Sequence, residues 1–291
     1  MLVVDFHIHP TKDIVPWVYD WIEGFLPEGE DPRRYLEEVL TKEGILRFLD
    51  DNGLDYAVAL AELNPRCSGT ITNDELADFC RDIDRLIPFA DVNPHMTADP
   101  AKELERCVRD MGFRGVKLYP VYQLFYANDH FLYPLYEKAQ ELGVPVMVHT
   151  GSSIFDGARL KYGDPLLLDE VAVDFPELTI VLVHGGRGFW YETAFHLVRS
   201  HAKVYLEIAG LPPRNLLEYF PDLEGYSEKV IFGSDWPGPV PKKNIQSINA
   251  LPISEDARAR ILGGNAARLP GLDTRPRSLA RTGSSLTPAG A

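Results

Sequence analysis

Short runs of apolar residues recur along the chain and alternate with longer segments in which apolar and polar positions follow a helical period. The runs have the length of strands buried on both faces, and the segments between them have the length of amphipathic helices. The predicted strands are residues 2–9, 55–61, 87–92, 114–119, 144–149, 178–184, 203–208 and 230–235. Strand followed by helix, repeated eight times, predicts an α/β protein built as a (β/α)8 TIM barrel.

Capping signals support the helical segments between these runs. Thr72 and Glu75 form a capping box at the start of segment 73–85. Other segments with helical periodicity are 99–111, 131–142 and 190–200. A doubly wound open sheet is the main competing architecture, but it usually carries a Gly-rich phosphate loop after its first strand. This chain has His9-Pro10-Thr11 at that position, so the barrel is the preferred prediction.

Two regions depart from the repeat. Residues 11–43 are too long for a plain strand-to-helix loop and are rich in aromatic residues, namely Trp17, Tyr19, Trp21 and Phe25. We expect this insertion after the first strand to form a lid over the site, with a packed subdomain or an oligomer contact as the alternatives. Residues 273–291 have almost no large apolar side chains and are predicted to be a disordered C-terminal tail. The chain is thus predicted to be one barrel domain over residues 1–272, followed by that tail.

The composition limits the classes of partner. Of 291 residues, 45% are hydrophobic, which is enough for a large core, and the formal net charge is −14. This acidic balance argues against nucleic acid or an anionic membrane as a partner, since both select basic surfaces. There is no apolar run long enough for a membrane span, no export signal, and no disulfide or metal spacing among the three cysteines. We therefore expect a cytoplasmic protein with a small-molecule substrate; a homodimer is expected on general frequency alone.

Two histidines end the first predicted strand. Alternate residues of a strand face the same side, so His7 and His9 point in one direction. Imidazole nitrogens side by side suit zinc and its neighbours in the first transition row, and the pair is half of a metal site. Taken alone, the pair favours structural histidines that are solvated or hydrogen-bonded. The rest of the chain decides between these alternatives.

Three further polar residues occupy the carboxyl ends of predicted strands. His149 ends the fifth strand, His184 ends the sixth, and Asp235 ends the eighth. In a barrel the carboxyl ends of all strands share one face, where the active sites of such proteins lie. These residues should therefore meet His7 and His9 above the barrel axis. Four of the eight histidines lie at strand ends, which scattered structural histidines would rarely do, and the sequence predicts a metal centre.

Several short stretches carry a resemblance to a known family. Besides the histidine pair, they are residues 112–119 (GFRGVKLY), 183–186 (VHGG), 232–237 (FGSDWP) and 265–269 (NAARL). Over about residues 1–270 the chain resembles the amidohydrolase superfamily, specifically its amidohydrolase-related (amidohydrolase 2) branch. That branch includes 2-amino-3-carboxymuconate semialdehyde decarboxylase, related non-oxidative aromatic decarboxylases and several hydrolases. The resemblance implies a (β/α)8 barrel that binds metal.

The resemblance also implies a role for each of the strand-end residues. It makes His7, His9, His149 and Asp235 the ligands of one divalent metal ion, for which zinc is the first expectation and manganese the alternative. It leaves His184 near the substrate or the water that the ion activates. Asp235 would then act as a catalytic base as well, since a carboxylate beside that water can take its proton. His184 would stabilise the oxyanion or shuttle the proton.

Lys117 and Tyr119, on the fourth predicted strand, are expected at the substrate. In other branches of the superfamily a lysine that ends this strand is carbamylated and bridges two metals. For Lys117 the first expectation is instead that it binds a substrate carboxylate, with a structural lysine inside the barrel as a further alternative. Asp5 lies one layer deeper than His7 on the first strand. We expect it to hold His7 or a neighbour by a hydrogen bond rather than to bind metal.

The loop after the sixth strand adds candidates for substrate binding. Arg187 lies in the segment Gly185-Gly186-Arg187-Gly188, and its guanidinium is a candidate clamp for a substrate carboxylate, with a surface salt bridge as the alternative. Trp190 and Trp236 flank the same predicted mouth. We expect them to form an apolar wall of the substrate site, with packing of helices onto the barrel as the alternative.

The predicted site defines two candidate reactions. The first is metal-dependent hydrolysis, in which activated water attacks a lactone, ester or amide carbonyl of a small carboxylated substrate. The alternative is non-oxidative decarboxylation of an aromatic or muconate-type acid, in which Asp235 or His184 delivers a proton to carbon. A barrel that binds metal or ligand without catalysis is a third hypothesis. It is disfavoured because a full ligand set beside a carboxylate is hard to explain without chemistry.

Overall fold

Eight parallel strands form the central sheet of the protein. The computed structural model describes residues 1–269, and strands that are neighbours in the sheet are also neighbours along the chain. Each strand overlaps the run that the sequence predicts for it. The strands are β1 (Val4–Ile8), β2 (Tyr56–Leu60), β3 (Leu86–Asp91), β4 (Val116–Leu118), β5 (Val146–Gly151), β6 (Ile180–Arg187), β7 (Val204–Glu207) and β8 (Val230–Ile231).

Hydrogen bonds between β1 and the segment after β8 close the sheet. The Phe6 N–H donates to the Phe232 carbonyl at 3.0 Å, and the Asp235 N–H donates to the His7 carbonyl at 3.0 Å. The first and last strands are thereby joined, as the closure of a barrel requires. The predicted (β/α)8 TIM barrel is confirmed.

Helices cover the outside of the barrel. Apolar side chains between the helices and the outer faces of the strands form the larger core cluster, and a second cluster fills the barrel interior. The helices are α1 (Pro16–Glu23), α2 (Pro32–Val39), α3 (Lys42–Asn52), α4 (Asn73–Cys80), α5 (Pro100–Met111), α6 (Pro120–Gln123), α7 (Tyr133–Leu142), α8 (Leu167–Asp174), α9 (Tyr191–Ser200), α10 (Leu216–Tyr219), α11 (Pro241–Asn249) and α12 (Glu255–Ala259). Short 3₁₀ turns and one π-helical segment, Arg260–Gly264, complete the connections.

Helix α4 begins with the predicted capping box but is shorter than the predicted segment 73–85. The Thr72 side chain accepts from the backbone N–H of Glu75, and the Glu75 side chain accepts from the backbone N–H of Thr72. The helix ends at Cys80, because the next residue is extended and Asp82 adopts a left-handed φ of 61°. A helix cannot continue through that conformation.

The insertion after β1 folds into α1, α2 and the start of α3. Ile22 and Leu36 are fully buried, so the insertion is a packed layer. Beside it, a two-stranded antiparallel hairpin pairs Glu62–Leu63 with Thr70–Ile71. Trp21 of α1 lies at the mouth of the barrel, where it lines the cavity described below. The insertion is therefore packed, and part of it lines the cavity; its role as a lid stays a prediction.

Three remaining predictions concern the chain as a whole. Cys67, Cys80 and Cys107 are all free and buried. Among residues 1–269, no helix has the length and apolar character that a membrane crossing needs. The predicted tail, 273–291, lies outside the described residues, and the domain boundary at residue 272 stays a prediction.

Candidate metal centre

A cavity of about 250 Å³ opens at the carboxyl ends of the barrel strands. Its walls are largely apolar and come from the insertion and from the loops after β4 and β5. Its floor is polar and consists of the side chains of His7, His9, Lys117, His149, His184 and Asp235. The structure thus brings the predicted strand-end residues together around one cavity.

His7, His9 and Asp235 form a compact group within this floor, with ligand atoms within 4.8 Å of one another. The Nε2 atoms of the two histidines are 3.0 Å apart. Asp235 Oδ1 lies 3.4 Å from His7 Nε2 and 3.6 Å from His9 Nε2. Two atoms that both bind one zinc ion at about 2.1 Å lie about 3 to 3.5 Å from each other. The spacing of the group therefore fits a single first-row metal ion.

His149 faces the same cavity from β5 but is not part of the compact group. Its Nε2 atom is buried and has no hydrogen-bond partner among the described residues. Burial, together with the charges of Lys117 and Arg187, lowers the pKa of His149 well below its usual value. A buried neutral imidazole with a free nitrogen has the form that binds metal. His149 is therefore the residue that fits a fourth ligand position.

His184 is held by the loop after β7. Its Nδ1 atom lies 2.7 Å from the Ala209 carbonyl oxygen. Because a carbonyl can only accept, Nδ1 carries the ring proton and Nε2 keeps its lone pair. Burial and the charge of Arg187 lower the pKa of His184 well below its usual value. His184 is thus a neutral side chain whose free nitrogen is an acceptor.

Gly210 allows the loop after β7 to approach the floor of the cavity. Its φ is +65°, and a Cβ atom there would lie 2.6 Å from Arg187 Nη1 and 2.7 Å from Asp235 Oδ2. Both distances are shorter than any normal contact of a Cβ atom. A side chain at this position would therefore displace one of the two polar groups.

Two buried glutamates that the sequence analysis did not assign lie beside the histidine pair. Glu207 Oε1 is 3.3 Å from His7 Nδ1, and Glu62 Oε2 is 3.8 Å from His9 Nδ1. Burial raises the pKa of Glu207 to about 8, although Lys117 opposes the shift. A divalent ion bound by His7 would favour the ionised form. Glu207 ends β7 just as Asp235 follows β8, so the strand-end pattern contained a signal for it.

Asp5 joins the first strand to the last. Its Oδ1 atom accepts from the backbone N–H of His7 at 3.1 Å and of Ser234 at 2.8 Å. Burial raises the pKa of Asp5 to about 7. The register of β1 is irregular between Asp5 and Ile8, so simple alternation does not hold along this strand. Asp5 therefore acts on the backbone at His7 and not on its imidazole.

Two cationic side chains face the cavity. Lys117 is fully buried, and its Nζ atom makes no hydrogen bond within the described part of the chain. Burial lowers the pKa of Lys117 to about 8, against the opposing charges of Glu207 and Asp235. Arg187 donates from Nε and Nη2 to the Ser152 carbonyl, and its Nη1 lies 3.9 Å from Asp235 Oδ2. Both cations are placed to receive an anionic group.

The apolar wall of the cavity differs from the predicted one. Trp236 is buried against Phe48, with ring centroids 4.8 Å apart, and its indole N–H donates to the Tyr35 hydroxyl. Trp190 caps α9, and neither tryptophan lines the cavity. This corrects their predicted role, since Trp236 points into helix packing and the Trp190 ring meets that of Phe189, with centroids 5.5 Å apart. The wall consists instead of Ile14, Val18, Trp21, Phe25, Ile154 and Phe155.

Two tyrosines complete the lining. Tyr119 is buried, and its hydroxyl donates to the Ala61 carbonyl at 2.8 Å, so only its ring faces the cavity. The Tyr122 hydroxyl lies 2.9 Å from Ser153 Oγ. This pair is a polar patch in the otherwise apolar upper part of the cavity.

The donor set fits one divalent ion. His7, His9 and Asp235 converge, and His149 offers an unbonded nitrogen beside them. A second convergent group, His7, His184 and Glu207, is less suited, because both Glu207 oxygens already accept from backbone N–H groups. Three imidazoles with one carboxylate suit zinc, and the carboxylate is also a ligand that suits manganese.

The fold and this floor define a class: a (β/α)8 barrel with a candidate metal centre at the carboxyl ends of its strands. The family model described as "Amidohydrolase" matches residues 4–272. The chain therefore belongs to the amidohydrolase family.

Individual proteins resemble the chain in sequence or in fold. The chain is 28% identical, over 250 residues, to a gamma-resorcylate decarboxylase of Rhizobium radiobacter, an alignment that covers 70% of this chain and 76% of the relative. An uncharacterised TIM-barrel protein of Bordetella bronchiseptica superposes with a TM-score of 0.77 at 24% identity, covering 92% and 98% of the two chains. A dihydroxybenzoic acid decarboxylase of Polaromonas, solved with manganese and 2-nitroresorcinol, gives a TM-score of 0.68 at 21% identity, covering 92% and 96%.

Proposed function

We propose that this chain is a metal-dependent carboxy-lyase that removes carbon dioxide from a small aromatic or muconate-type acid. The observation that carries the proposal is Lys117, a fully buried ammonium without a hydrogen-bond partner in the described residues, beside a group of metal-binding side chains. A buried ammonium that makes no hydrogen bond is costly, even with the charges of Glu207 and Asp235 nearby, unless a ligand brings a further negative charge into contact with it. A substrate carboxylate supplies that charge.

The charges of the cavity favour an anionic substrate. Lys117 and Arg187 are cations, and a bound divalent ion adds two further positive charges. Together they outweigh the two carboxylates that line the cavity, those of Glu62 and Asp235. The loaded site is therefore positive, and it attracts a carboxylate or a phenolate.

The size and lining of the cavity favour a single ring or a short unsaturated chain. At about 250 Å³ it is smaller than the pockets that hold drug-sized ligands. Trp21 and Phe25 line the apolar wall above the polar floor, with their rings edge to face and centroids 5.3 Å apart. A planar acid can stack on these rings while its carboxylate reaches the cations.

The proposed reaction uses this division between the wall and the floor. A divalent ion held by His7, His9, His149 and Asp235 supplies positive charge that stabilises negative charge on substrate oxygens. Arg187 and Lys117 orient the carboxylate. The bond between this group and its carbon breaks, carbon dioxide leaves, and the electron pair that remains on carbon takes up one proton. The apolar wall excludes water from the cavity. Without solvation the charged carboxylate is less stable relative to neutral carbon dioxide, which favours decarboxylation.

The proton is delivered by Asp235 or His184. Both lie on the cavity floor, within reach of a substrate that contacts Arg187. His184 Nε2 holds a lone pair at rest, so any proton that it delivers must first be taken from the substrate or from water. A phenolic hydroxyl on the substrate is one source of that proton.

Hydrolysis of a lactone, ester or amide is the second candidate. Asp235 Oδ1 lies within 3.6 Å of both Nε2 atoms of the histidine pair, where a carboxylate can take a proton from an attacking water. The decarboxylase named among the relatives favours the first candidate. The two reactions use the same residues and differ in the bond that breaks.

One panel on metal-reconstituted protein separates the candidates. Hydroxybenzoates, muconate-type acids and lactones are incubated with protein loaded with Mn²⁺ or Zn²⁺, and the release of carbon dioxide and of acid is measured in parallel. We expect carbon dioxide from an aromatic or muconate-type acid, and deuterium at the vacated carbon when the solvent is D₂O. Acid release from lactones without carbon dioxide would support hydrolysis instead. His7→Ala is the control that should abolish either activity.

A further inference from the structure

Each histidine of β1 presents its second ring nitrogen to a buried glutamate. His7 Nδ1 lies 3.3 Å from Glu207 Oε1, and His9 Nδ1 lies 3.8 Å from Glu62 Oε2. Both Nδ1 atoms are buried, and neither makes a hydrogen bond within residues 1–269. A buried polar atom without a partner is costly and needs a physical explanation.

With both glutamates ionised and no ion bound, the four ring nitrogens of the pair cannot all be satisfied. A neutral imidazole carries one proton, on either Nδ1 or Nε2. The Nε2 atoms of His7 and His9 are 3.0 Å apart, and a hydrogen bond between them requires one ring to carry its proton on Nε2. The Nδ1 atom of that ring is then an acceptor that faces a carboxylate oxygen, which is also an acceptor. Whichever ring donates, one acceptor pair remains in conflict.

A single cation removes the conflict. When both Nε2 atoms direct their lone pairs at one ion, both rings carry the proton on Nδ1, where a glutamate accepts it. We propose that Glu207 and Glu62 are positioning residues, each of which fixes the tautomer and the ring orientation of one histidine so that both Nε2 atoms face the metal. Carboxylates that hold metal-binding histidines in this way are typical of protein metal sites. The inference rests on the metal centre of the proposed function and assigns two residues outside the ligand set.

The two glutamates are themselves anchored. Glu207 accepts from the backbone N–H groups of His184 and Ala209, each at 3.1 Å. Glu62 accepts from Ser68 Oγ at 2.9 Å and from Asn64 Nδ2 at 3.4 Å. Glu207 is thus fixed by the backbone at β6 and β7, and Glu62 by side chains of the hairpin after β2. Glu207 Oε1, which faces His7, accepts one of these bonds and can accept a second. Glu62 Oε2, which faces His9, accepts both of its bonds, so a bond from His9 would replace the long bond from Asn64 at 3.4 Å.

The distances agree with loose contacts that an ion would tighten. The 3.3 Å and 3.8 Å separations exceed an ordinary hydrogen bond, and such contacts commonly shorten when a site is loaded. His9 is 16% exposed while His7 is 1% exposed, so the His9 ring has more room to turn toward its glutamate.

The first test is the tautomer of the histidines in the loaded wild-type protein. Protein labelled with ¹⁵N at its eight histidines is titrated with Zn²⁺, and the ring nitrogen shifts are assigned with His7→Gln and His9→Gln. We expect both rings to bind zinc through Nε2 and to keep a proton on Nδ1 that exchanges slowly with solvent. Binding through Nδ1 in either ring would overturn the inference for that ring's glutamate.

The second test is the affinity for zinc of variants at Glu62, measured by chelator competition. Glu62→Gln keeps one acceptor oxygen and loses the charge, whereas Glu62→Leu loses both. We expect affinity to fall in the order wild type, Glu62→Gln, Glu62→Leu, with the last weaker by about tenfold to hundredfold. Glu103→Gln is the matched control, because Glu103 bonds to Asn73 and Arg106 and lines a different groove. It should bind zinc within about twofold of wild type.

Glu207→Gln completes the series. Because its amide would face a backbone donor, the folding of this variant is checked first by circular dichroism. If it unfolds, the wild-type tautomer of His7 decides the role of Glu207. A wild-type chain that binds no zinc would overturn this inference and the proposed metal centre together. Stoichiometric zinc with unchanged affinity in Glu62→Leu would overturn the role of Glu62 alone.

Discussion

His184 and Asp235 both hold a left-handed backbone conformation, with φ of 63° and 71°, although neither is a glycine. Both line the floor of the cavity: His184 lies within β6, and Asp235 follows β8. For residues with a Cβ atom this conformation costs about 1–2 kcal/mol. Such strain persists where the surrounding structure enforces it, and it concentrates at sites of function. The strain therefore belongs to the site and can be measured.

Glycine at position 235 should be tolerated better than alanine. Asp235→Ala and Asp235→Gly both remove the carboxylate, but only glycine adopts this φ without a penalty. We expect Asp235→Gly to be the more stable of the two by about 1 kcal/mol in the free energy of unfolding, measured with urea. His149 is the control, since its φ is not among the positive values. At position 149 the alanine variant should be more stable than the glycine variant by roughly 0.5–1 kcal/mol in the free energy of unfolding. The same order of stability at both positions would contradict backbone strain at Asp235.

Metal should stabilise the folded chain. An ion that binds only the folded state stabilises it by about 2.7 kcal/mol at a concentration one hundred times its Kd. For a chain of this size we expect the Tm to rise by about 5 °C, measured by calorimetry after removal of metal and again after addition of Mn²⁺ or Zn²⁺. His7→Ala should show a shift near zero, because it loses a proposed ligand of the compact group. An equal rise in His7→Ala would place the ion elsewhere.

The strands were predictable because barrel strands are buried on both faces and read as apolar runs. The carboxyl ends of the strands were less predictable, because β5 and β6 extend through Gly151 and Arg187, beyond the last apolar residue. Alternation along β1 also fails between Asp5 and Ile8, where the register shifts. That irregularity depends on pairing with β2, which lies far along the chain. Local sequence contains no signal for it.

The floor of the cavity was predictable and its wall was not. His7, His9 and Asp235 meet because strand ends share one face of a barrel, a rule that needs no side-chain detail. Trp21 reaches the cavity from an inserted helix, and its direction depends on how that helix packs. Trp236 follows Asp235 by one residue and points the other way, into Phe48. Adjacency in sequence therefore did not indicate a shared direction.

Arg187 should govern the binding of a carboxylated substrate. Its guanidinium is held in place by two hydrogen bonds to the Ser152 carbonyl, and lysine cannot reproduce that fork. We expect Arg187→Lys to raise the KM for the carboxylate substrate by about tenfold or more, corresponding to about 1.4 kcal/mol or more. Arg109→Lys is the control, because Arg109 forms an exposed ion pair with Glu105. It should leave the KM unchanged, and an unchanged KM in Arg187→Lys would exclude Arg187 from substrate binding.

A variant at Trp21 should change substrate binding, and a variant at Trp236 should change stability. Trp21 lines the cavity and meets Phe155 edge to face, with centroids 5.3 Å apart, so Trp21→Ala removes part of the apolar wall. We expect its KM to rise severalfold with zinc affinity unchanged. Trp236→Phe loses buried area and the hydrogen bond to Tyr35, so we expect a loss of about 1–2 kcal/mol in the free energy of unfolding with the KM unchanged.

Gly238 provides an independent way to move the Trp21 ring. A Cβ atom at Gly238 would lie 2.1 Å from the Trp21 side chain, so Gly238→Ala must displace the indole without deleting it. If substrate binding depends on the position of the Trp21 ring in the apolar wall, Gly238→Ala should raise the KM, as Trp21→Ala does. The KM of the double variant should then be close to that of either single variant. Additive effects on the KM would instead mean that Gly238→Ala acts on the Asp235 segment through the backbone. Steady-state kinetics on the three variants, at saturating metal, distinguishes the two outcomes.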